Sequence, residues 1–260
     1  MAVVPLKSGD FTGLAENYAK FRPGYSETVL TALLALVGKP AREVDFVDVG
    51  AGTGIWTAMV ASRGCRSAVA IEPNNDMRTW GQKMSNANDI RWLPGSGERT
   101  GLPAKCADLL TMASSFHWVD FDAAMREFAR ILRPEGRFAA LWNPRLIEEN
   151  PLLVEIEEQL CRLKPDLKRV SSGRSGITEG LTDRLSRCDG FDDVIYLEGR
   201  HRIVQSVEHY LGAWRSVNDI QTQLGPEKFS LFLNFIRERL ANLSSVETTY
   251  LTRAWTVRRC

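Results

Sequence analysis

Histidine and cysteine are scarce in this chain, and neither residue is grouped. The 260 residues include three histidines and five cysteines, and no C-x-x-C pair occurs. A structural zinc site needs four such ligands at short spacings, so we predict no metal site. Isolated cysteines are typical of proteins in a reducing compartment, which favours a cytoplasmic location.

Long apolar runs and a strong net charge are also absent. The longest apolar stretch, from Val29 to Val37, stops at Gly38 and is too short to span a bilayer. Met1 to Asp10 lacks the basic and apolar regions of a signal peptide. With 33 basic and 32 acidic residues, the chain has no large positive field. We therefore expect neither a nucleic-acid nor a membrane partner.

Strands alternate with helices over the first half of the chain. Strands are predicted at 43–49, 67–71, 90–93, 107–112 and 137–142, and helices at 14–21, 26–37, 53–63, 74–84 and 121–132. This alternation is typical of an α/β protein whose parallel sheet is covered on both faces. Further helices are predicted at 150–163, 178–188, 206–215 and 226–242, and strands at 193–197 and 248–257. We interpret residues 1–260 as one domain, with N-terminal cap helices in 1–40 and a helical lid insertion at 145–190.

A glycine-rich turn follows the first strand of this pattern. The sequence from Phe46 to Gly54 reads FVDVGAGTG and places Gly50, Gly52 and Gly54 at alternate positions. Glycine permits a positive φ and lets a ligand approach the backbone. The helix that follows offers free N–H groups and a positive dipole end. The turn therefore predicts a nucleotide-like ligand, without deciding its class.

An acidic residue closes the second strand. Glu72 lies 22 positions after Gly50, the place from which a carboxylate can accept both hydroxyls of a ribose. NAD and S-adenosylmethionine (SAM) fit this spacing about equally. The dinucleotide motif requires its third glycine where Ile55 stands, and no Y-x-x-x-K pair is present. Hydride transfer therefore lacks its expected residues, and SAM is favoured.

In this order the motifs resemble those of class I SAM-dependent methyltransferases, in the small-molecule group that includes trans-aconitate methyltransferase. The resemblance begins with Leu14–Tyr25, includes the glycine turn and Ile71–Pro73, and continues through Gly95–Pro103 and Ser115–Trp118. It ends with Leu132–Gly136 and the last strand. It implies a three-layer, Rossmann-like fold with a seven-stranded, mostly parallel sheet whose last strand is antiparallel.

The resemblance also implies which residues hold the cofactor. Gly50, Ala51 and Gly52 would face the methionine part of SAM, and Glu72 the ribose. The remaining cofactor contacts that we predict are Tyr18, Pro73, Met77, Ser96, Gly97, Glu98 and Ser114. An aromatic ring that faces the positively charged sulfonium of SAM stabilises it by about 0.5–2 kcal/mol. We predict that Tyr25, Trp118, Trp142 and Arg145 contact the acceptor.

His117 is the candidate catalytic residue, because it follows the fourth strand at the edge where α/β sheets bind ligands. An imidazole there can accept a proton from a hydroxyl or an amine. For a carboxylate acceptor no base is needed, and His117 would only position the substrate. A loop histidine bonded to backbone is the third alternative.

We expect methyl transfer from SAM to an oxygen or nitrogen atom of a small metabolite. Within the lid insertion, Lys164, Lys168, Arg169 and Arg174 outnumber Asp166, so the acceptor is expected to be anionic or polar. Three alternatives stay open: an NAD(P)-dependent oxidoreductase, a SAM-binding protein without methyl transfer, and non-methylating SAM chemistry such as cyclisation or elimination.

Overall fold

A seven-stranded mixed sheet forms the centre of the molecule. A computed structural model of the chain describes residues 11–85, 90–168, 176 and 178–260. The strands are Asp45–Val49 (β1), Ser67–Ile71 (β2), Ile90–Leu93 (β3), Ala107–Ala113 (β4), Leu132–Trp142 (β5), Phe191–Ser206 (β6) and Ser245–Arg259 (β7). Their order is β3-β2-β1-β4-β5-β7-β6. Only β7 runs antiparallel to its neighbours, on both sides, so the predicted fold class is confirmed.

Helices cover both faces of this sheet. They are Ala15–Phe21 (α1), Glu27–Leu36 (α2), Ile55–Ala61 (α3), Asn75–Met84 (α4), Phe121–Ile131 (α5), Pro151–Leu163 (α6), Leu181–Ser186 (α7), Val207–Arg215 (α8) and Asn218–Leu240 (α9). Side chains along β1 alternate between two cores: Phe46 packs with α2 and α3, and Val47 with α5 and α7. This period of two places the sheet between two apolar layers.

The edge strand β6 is much longer than predicted. It covers 16 residues, whereas the apolar pattern indicated only residues 193–197. The second half of β6 pairs with the part of β7 from Ser245 to Arg253. On its other side, β7 pairs with β5 only over Arg253–Arg258. The two long strands therefore extend beyond β5 as a ribbon. Because most residues of this ribbon half on β6 are exposed, the apolar alternation that identifies a strand is missing there.

A third apolar cluster joins α6 to α8 and α9, which lie between β6 and β7 in the chain. Leu153 and Ile156 of α6 pack there with Leu211 of α8 and Phe232 of α9. We call these three helices the α6–α8–α9 bundle. Leu185 of α7 lies instead in the core of the sheet. The residues predicted as one insertion, 145–190, therefore contribute to two different parts of the structure.

The described residues include no helix that is both long enough and apolar enough to cross a membrane. The longest helix, α9, bends at Gly225, where φ is 71°.

Candidate active site

One cavity of about 320 Å³ opens at the carboxyl ends of β1, β2 and β4. The strand order reverses between β1 and β4, since β2 and β3 lie on one side and β5 on the other. In open α/β sheets this switch point leaves a crevice in which ligands bind. The topology therefore puts the cavity at the predicted place.

The glycine turn forms one wall of the cavity. Gly50 has a φ of 65° and Gly52 of 58°, values that glycine adopts without strain. A Cβ at Gly50 would lie 2.7 Å from the side chain of Ser115. At Gly52 it would lie 3.4 Å from the methyl group of Met77. The backbone is thus exposed to a ligand where side chains would otherwise fill the space.

Glu72 faces the same wall and is held by two backbone donors. Gly52 N–H donates to Glu72 Oε2 at 2.8 Å, and Asn74 N–H donates to Oε1 at 2.8 Å. Burial raises the pKa of the Glu72 carboxyl, while these two donors oppose the shift. Each oxygen still has one lone pair for a further donor. The carboxylate is therefore oriented to accept two hydroxyls, as predicted for a ribose.

The structure brings all eleven predicted cofactor contacts together around this cavity. Tyr18 of α1 lines it, and Gly13 N–H, just before α1, donates to Asp76 Oδ2 of α4 at 2.8 Å. The lining includes Tyr18, Gly50, Ala51, Gly52, Glu72, Pro73, Met77, Ser96, Gly97, Glu98 and Ser114. Ser114 has a φ of 56°, and such strain in a non-glycine residue is common at functional sites. The individual contacts to a cofactor remain predictions.

A buried carboxyl that the sequence analysis did not single out lies behind the glycine turn. Asp48 accepts from Thr57 Oγ1 at 2.6 Å and from Thr111 Oγ1 at 2.8 Å. Trp56 Nε1–H donates in turn to Thr111 Oγ1 at 3.0 Å. Burial raises the pKa of Asp48 to about 7. This network ties β1, α3 and β4 together directly below the site.

We expect Asp48 to make stability depend on pH. A carboxyl whose pKa rises from 3.8 to about 7 on folding keeps its proton longer in the native state, so the free energy of unfolding falls as pH rises through this window. Asp48→Asn should remove that part of the slope, measured by urea unfolding between pH 4.5 and 7.5. Asp189→Asn, at an exposed position, is the control. An equal slope in wild type and Asp48→Asn would contradict the assignment.

His117 and Trp142 are the two predicted site residues that do not line the cavity. Trp142 is 1% exposed and packs against Trp255 in the core. Its Nε1–H donates to His117 Nδ1 at 3.3 Å. A neutral His117 ring then carries its proton on Nε2, an atom buried without a partner among the described residues. Burial lowers the pKa of His117 to about 4. These features argue against a general base and for a residue that fixes the turn carrying Trp118.

We expect His117→Gln to change kcat by less than about tenfold, because the base of a proton-transfer step contributes about 10²–10⁴-fold. The measurement is kcat between pH 5.5 and 8.5, with methyl-labelled SAM as donor. A loss of 10² or more, together with loss of the acidic limb of the profile, would restore His117 as the base.

The predicted acceptor residues Tyr25, Trp118 and Arg145 also line the cavity, and we call the part that they line the acceptor end. Tyr25 OH lies 3.1 Å from Ser114 Oγ, and Trp118 is 43% exposed at the opening. The Arg145 guanidinium lies over the Trp214 ring, 4.2 Å from its centroid. The acceptor end of the cavity is thus lined by aromatic side chains and by the positively charged Arg145.

Sequence reasoning missed Arg22 and Tyr250, which also line the cavity. Arg22 lies over the Tyr18 ring at 4.9 Å, and its Nε donates to Ser216 Oγ at 2.7 Å. Arg22 belongs to the N-terminal segment that resembles the methyltransferases, so the sequence did contain a signal that could have identified it. Tyr250 comes from β7, where no local motif marks it. Arg169 and Arg174, which were predicted to select the acceptor, lie outside the described residues.

Comparison with known proteins agrees with this geometry. Residues 47–140, from β1 to β5, match the family described as "Methyltransferase domain". An uncharacterized methyltransferase of Mycobacterium bovis is 34% identical over 128 residues, which are 49% of each chain. The C-methyltransferase of ubiquinone and menaquinone biosynthesis from Rubrivivax gelatinosus is 34% identical over 96 residues, 36% of this chain and 38% of that one. The chain matches about half the length of the curated relatives named first, or less.

Solved structures share the fold over nearly the whole chain. A type II methyltransferase candidate from Anaeromyxobacter dehalogenans has a TM-score of 0.60 at 20% identity, covering 92% of this chain and 98% of that chain. The YcgJ protein of Bacillus subtilis has a TM-score of 0.54 at 17% identity, covering 90% and 99%. At these identities the likeness concerns the fold alone. Residues 47–140 therefore match a methyltransferase domain in sequence, and nearly the whole chain shares its fold with these solved structures.

Proposed function

We propose that the chain transfers the methyl group of SAM to an oxygen or nitrogen atom of a small, anionic metabolite. One observation carries the proposal. The glycine turn, Glu72 and Arg145 all line the same cavity. A cofactor and an acceptor can therefore meet in it.

The residues present fit SAM. Glu72 has two oxygens oriented by backbone donors, which suits the two ribose hydroxyls. Arg22, held by Ser216 and Tyr18, suits the carboxylate of the methionine part. Tyr18 adds an aromatic face at the same end. When bound, SAM supplies a methyl group on a sulfonium, with a neutral thioether as leaving group.

The contribution of the chain is then mainly to position the acceptor. Holding two reactants in line lowers a barrier by about 7–11 kcal/mol in well-oriented systems. Among the described lining residues, no group is suited to remove a proton near pH 7. Glu72 and Glu98 each accept from backbone N–H groups, and burial raises the pKa of Tyr25. These features favour a nucleophile that needs no base, such as a carboxylate oxygen.

The test is to incubate the protein with methyl-labelled SAM and a panel of small carboxylic acids, amino acids and phenols. Label in an acceptor, with release of S-adenosylhomocysteine, supports the proposal. Binding of SAM without turnover across the panel would favour a SAM-binding protein. Mass spectrometry of the cofactor product distinguishes methyl transfer from cyclisation or elimination. Tight NAD(P) binding in place of SAM would favour the oxidoreductase.

We place this reaction in the cytoplasm. All five cysteines are free thiols, and three of them, Cys65, Cys106 and Cys188, are partly buried within the fold. Free thiols are maintained in a reducing compartment. Fractionation of the native host that found the chain in an oxidising compartment would contradict this placement.

A further inference from the structure

Arg145 and Tyr250 are directly opposite each other across an antiparallel bridge. Leu251 N–H donates to Pro144 O at 2.9 Å, and Leu146 N–H donates to Thr249 O at 2.9 Å. These bonds join the flanking residues, so Arg145 and Tyr250 form a non-hydrogen-bonded pair. In such pairs the Cα atoms are about 4.5 Å apart, and the side chains lie close together on the same face. Both side chains line the cavity.

The cation of Arg145 is held from behind by the α6–α8–α9 bundle. Its guanidinium rests on the Trp214 ring at 4.2 Å, and the Tyr210 ring packs edge-on against Trp214, with centroids 6.3 Å apart. The negative charge of Glu157, on α6, also acts on Arg145. Within the described part of the chain, no carboxylate forms an ion pair with this guanidinium. The guanidinium is thus fixed in place while its charge remains available to a ligand.

Tyr250 is fixed just as firmly. Its ring stacks on His201, with centroids 5.6 Å apart and planes 23° from parallel. His201 Nε2 lies 3.1 Å from Gly24 O, so the histidine is itself held by the chain between α1 and α2. Tyr250 is only 5% exposed. Burial raises the pKa of its hydroxyl, while the positive charges of Arg145 and Arg22 oppose this shift. The phenol therefore keeps its proton and can donate it in a hydrogen bond to an anion.

We propose that Arg145 and Tyr250 together form a clamp for a carboxylate of the acceptor. This inference rests on the proposed function and names the chemical group that the acceptor end recognises. A planar carboxylate has two oxygens, which suit the guanidinium fork and the phenol hydroxyl that lie side by side. Both donors are oriented before the ligand binds, so little side-chain entropy is lost on binding.

The clamped carboxylate is a recognition group and not the site of methylation. An oxygen whose lone pairs are shared between a guanidinium and a phenol is a weaker nucleophile than a free one. The clamp therefore implies an acceptor with at least two functional groups, one bound by Arg145 and Tyr250 and the other presented to the methyl group. Small dicarboxylates have the simplest such chemistry.

The experiment uses the full chain saturated with S-adenosylhomocysteine, and titrates the dicarboxylates from succinate to suberate and their neutral diamides by calorimetry. We expect at least one dicarboxylate to bind. Its affinity should fall about 10-fold in Tyr250→Phe and about 100-fold in Arg145→Gln. The preference of the protein for the diacid over its diamide should shrink in both variants. A merely structural role for these residues would not change that preference.

The control is Tyr196→Phe, which removes a phenol that bonds Glu198 and Arg253 on the exposed side of β6. This variant should bind the diacid and its diamide as tightly as wild type does. If S-adenosylhomocysteine binds but no dicarboxylate does, the clamp is wrong while the cofactor assignment stands. If S-adenosylhomocysteine itself fails to bind, the proposed function fails first. Equal loss of diacid and diamide binding in Tyr250→Phe would also overturn the clamp.

Discussion

Glu72→Ala is expected to weaken binding of SAM and S-adenosylhomocysteine by about 1.5–3 kcal/mol, or roughly 10- to 150-fold, since a carboxylate that accepts two hydroxyls is lost. The variant also removes the acceptor for Gly52 N–H and Asn74 N–H. Part of the effect will therefore come from a looser glycine turn. Glu72→Gln keeps one carbonyl acceptor, so its affinity should fall between those of wild type and alanine variant. Calorimetry gives both affinities directly.

A matched control separates this loss from a general loss of stability. Glu127 accepts from Thr100 N–H at 2.9 Å and from Thr100 Oγ1, and it does not line the cavity. Glu127→Ala should therefore lower the thermal midpoint without changing SAM affinity. If Glu72→Ala binds both ligands as wild type does, the ribose assignment is wrong. If the two variants lose affinity equally, the loss reflects stability and not contact.

The cofactor end could be predicted because its parts are close in the sequence. The glycine turn and Glu72 end two strands, β1 and β2, that are joined by a single helix and pair in register, with Val49 opposite Ile71. In a parallel pair, consecutive strand ends meet at the same edge of the sheet. A spacing of about twenty residues is therefore enough to place Gly50 and Glu72 beside each other.

The orientation of His117 could not be predicted from the same rule. Ligands bind at the carboxyl ends of the strands, and this rule indicates that a residue just after β4 lies near the site. It does not say which way the side chain of that residue points. Residues Phe116–Trp118 form a short 3₁₀ turn, in which Trp118 lines the cavity while His117 lies against Trp142. Three successive side chains in such a turn face three directions. Only the tertiary packing decides which of them meets the ligand.

The contacts that Arg22 and Tyr250 make at the cavity were hidden because the residues involved are far apart in the chain. The Arg22–Ser216 bond joins positions 194 residues apart, and Tyr250 reaches the cavity through the bridge to Arg145. That bridge depends on the ribbon of β6 and β7, whose partly exposed first strand has little apolar pattern. Periodicity detects elements that bury one face. It does not detect which distant elements close a cavity.

Gly52→Val is expected to abolish measurable SAM binding, because its side chain would occupy the cofactor end of the cavity. The Cβ would lie 3.4 Å from Met77 Cε, an ordinary contact, so the two methyl groups beyond it must extend into the space that the ligand needs. The left-handed conformation of Gly52, with φ at 58°, adds strain of about 1–3 kcal/mol for a non-glycine residue. A loss of binding alone would therefore not distinguish steric exclusion from backbone strain.

Gly101→Val makes this distinction. Gly101 has a φ of 74°, and a Cβ there would meet no atom within 4 Å. The substitution should impose comparable backbone strain while leaving the cavity unchanged, since Gly101 does not line it. We expect both variants to lose thermal stability, but only Gly52→Val to lose binding of S-adenosylhomocysteine in calorimetry. Retained binding in a folded Gly52→Val would show that the cofactor does not lie along this turn, and it would remove the central assignment of the site.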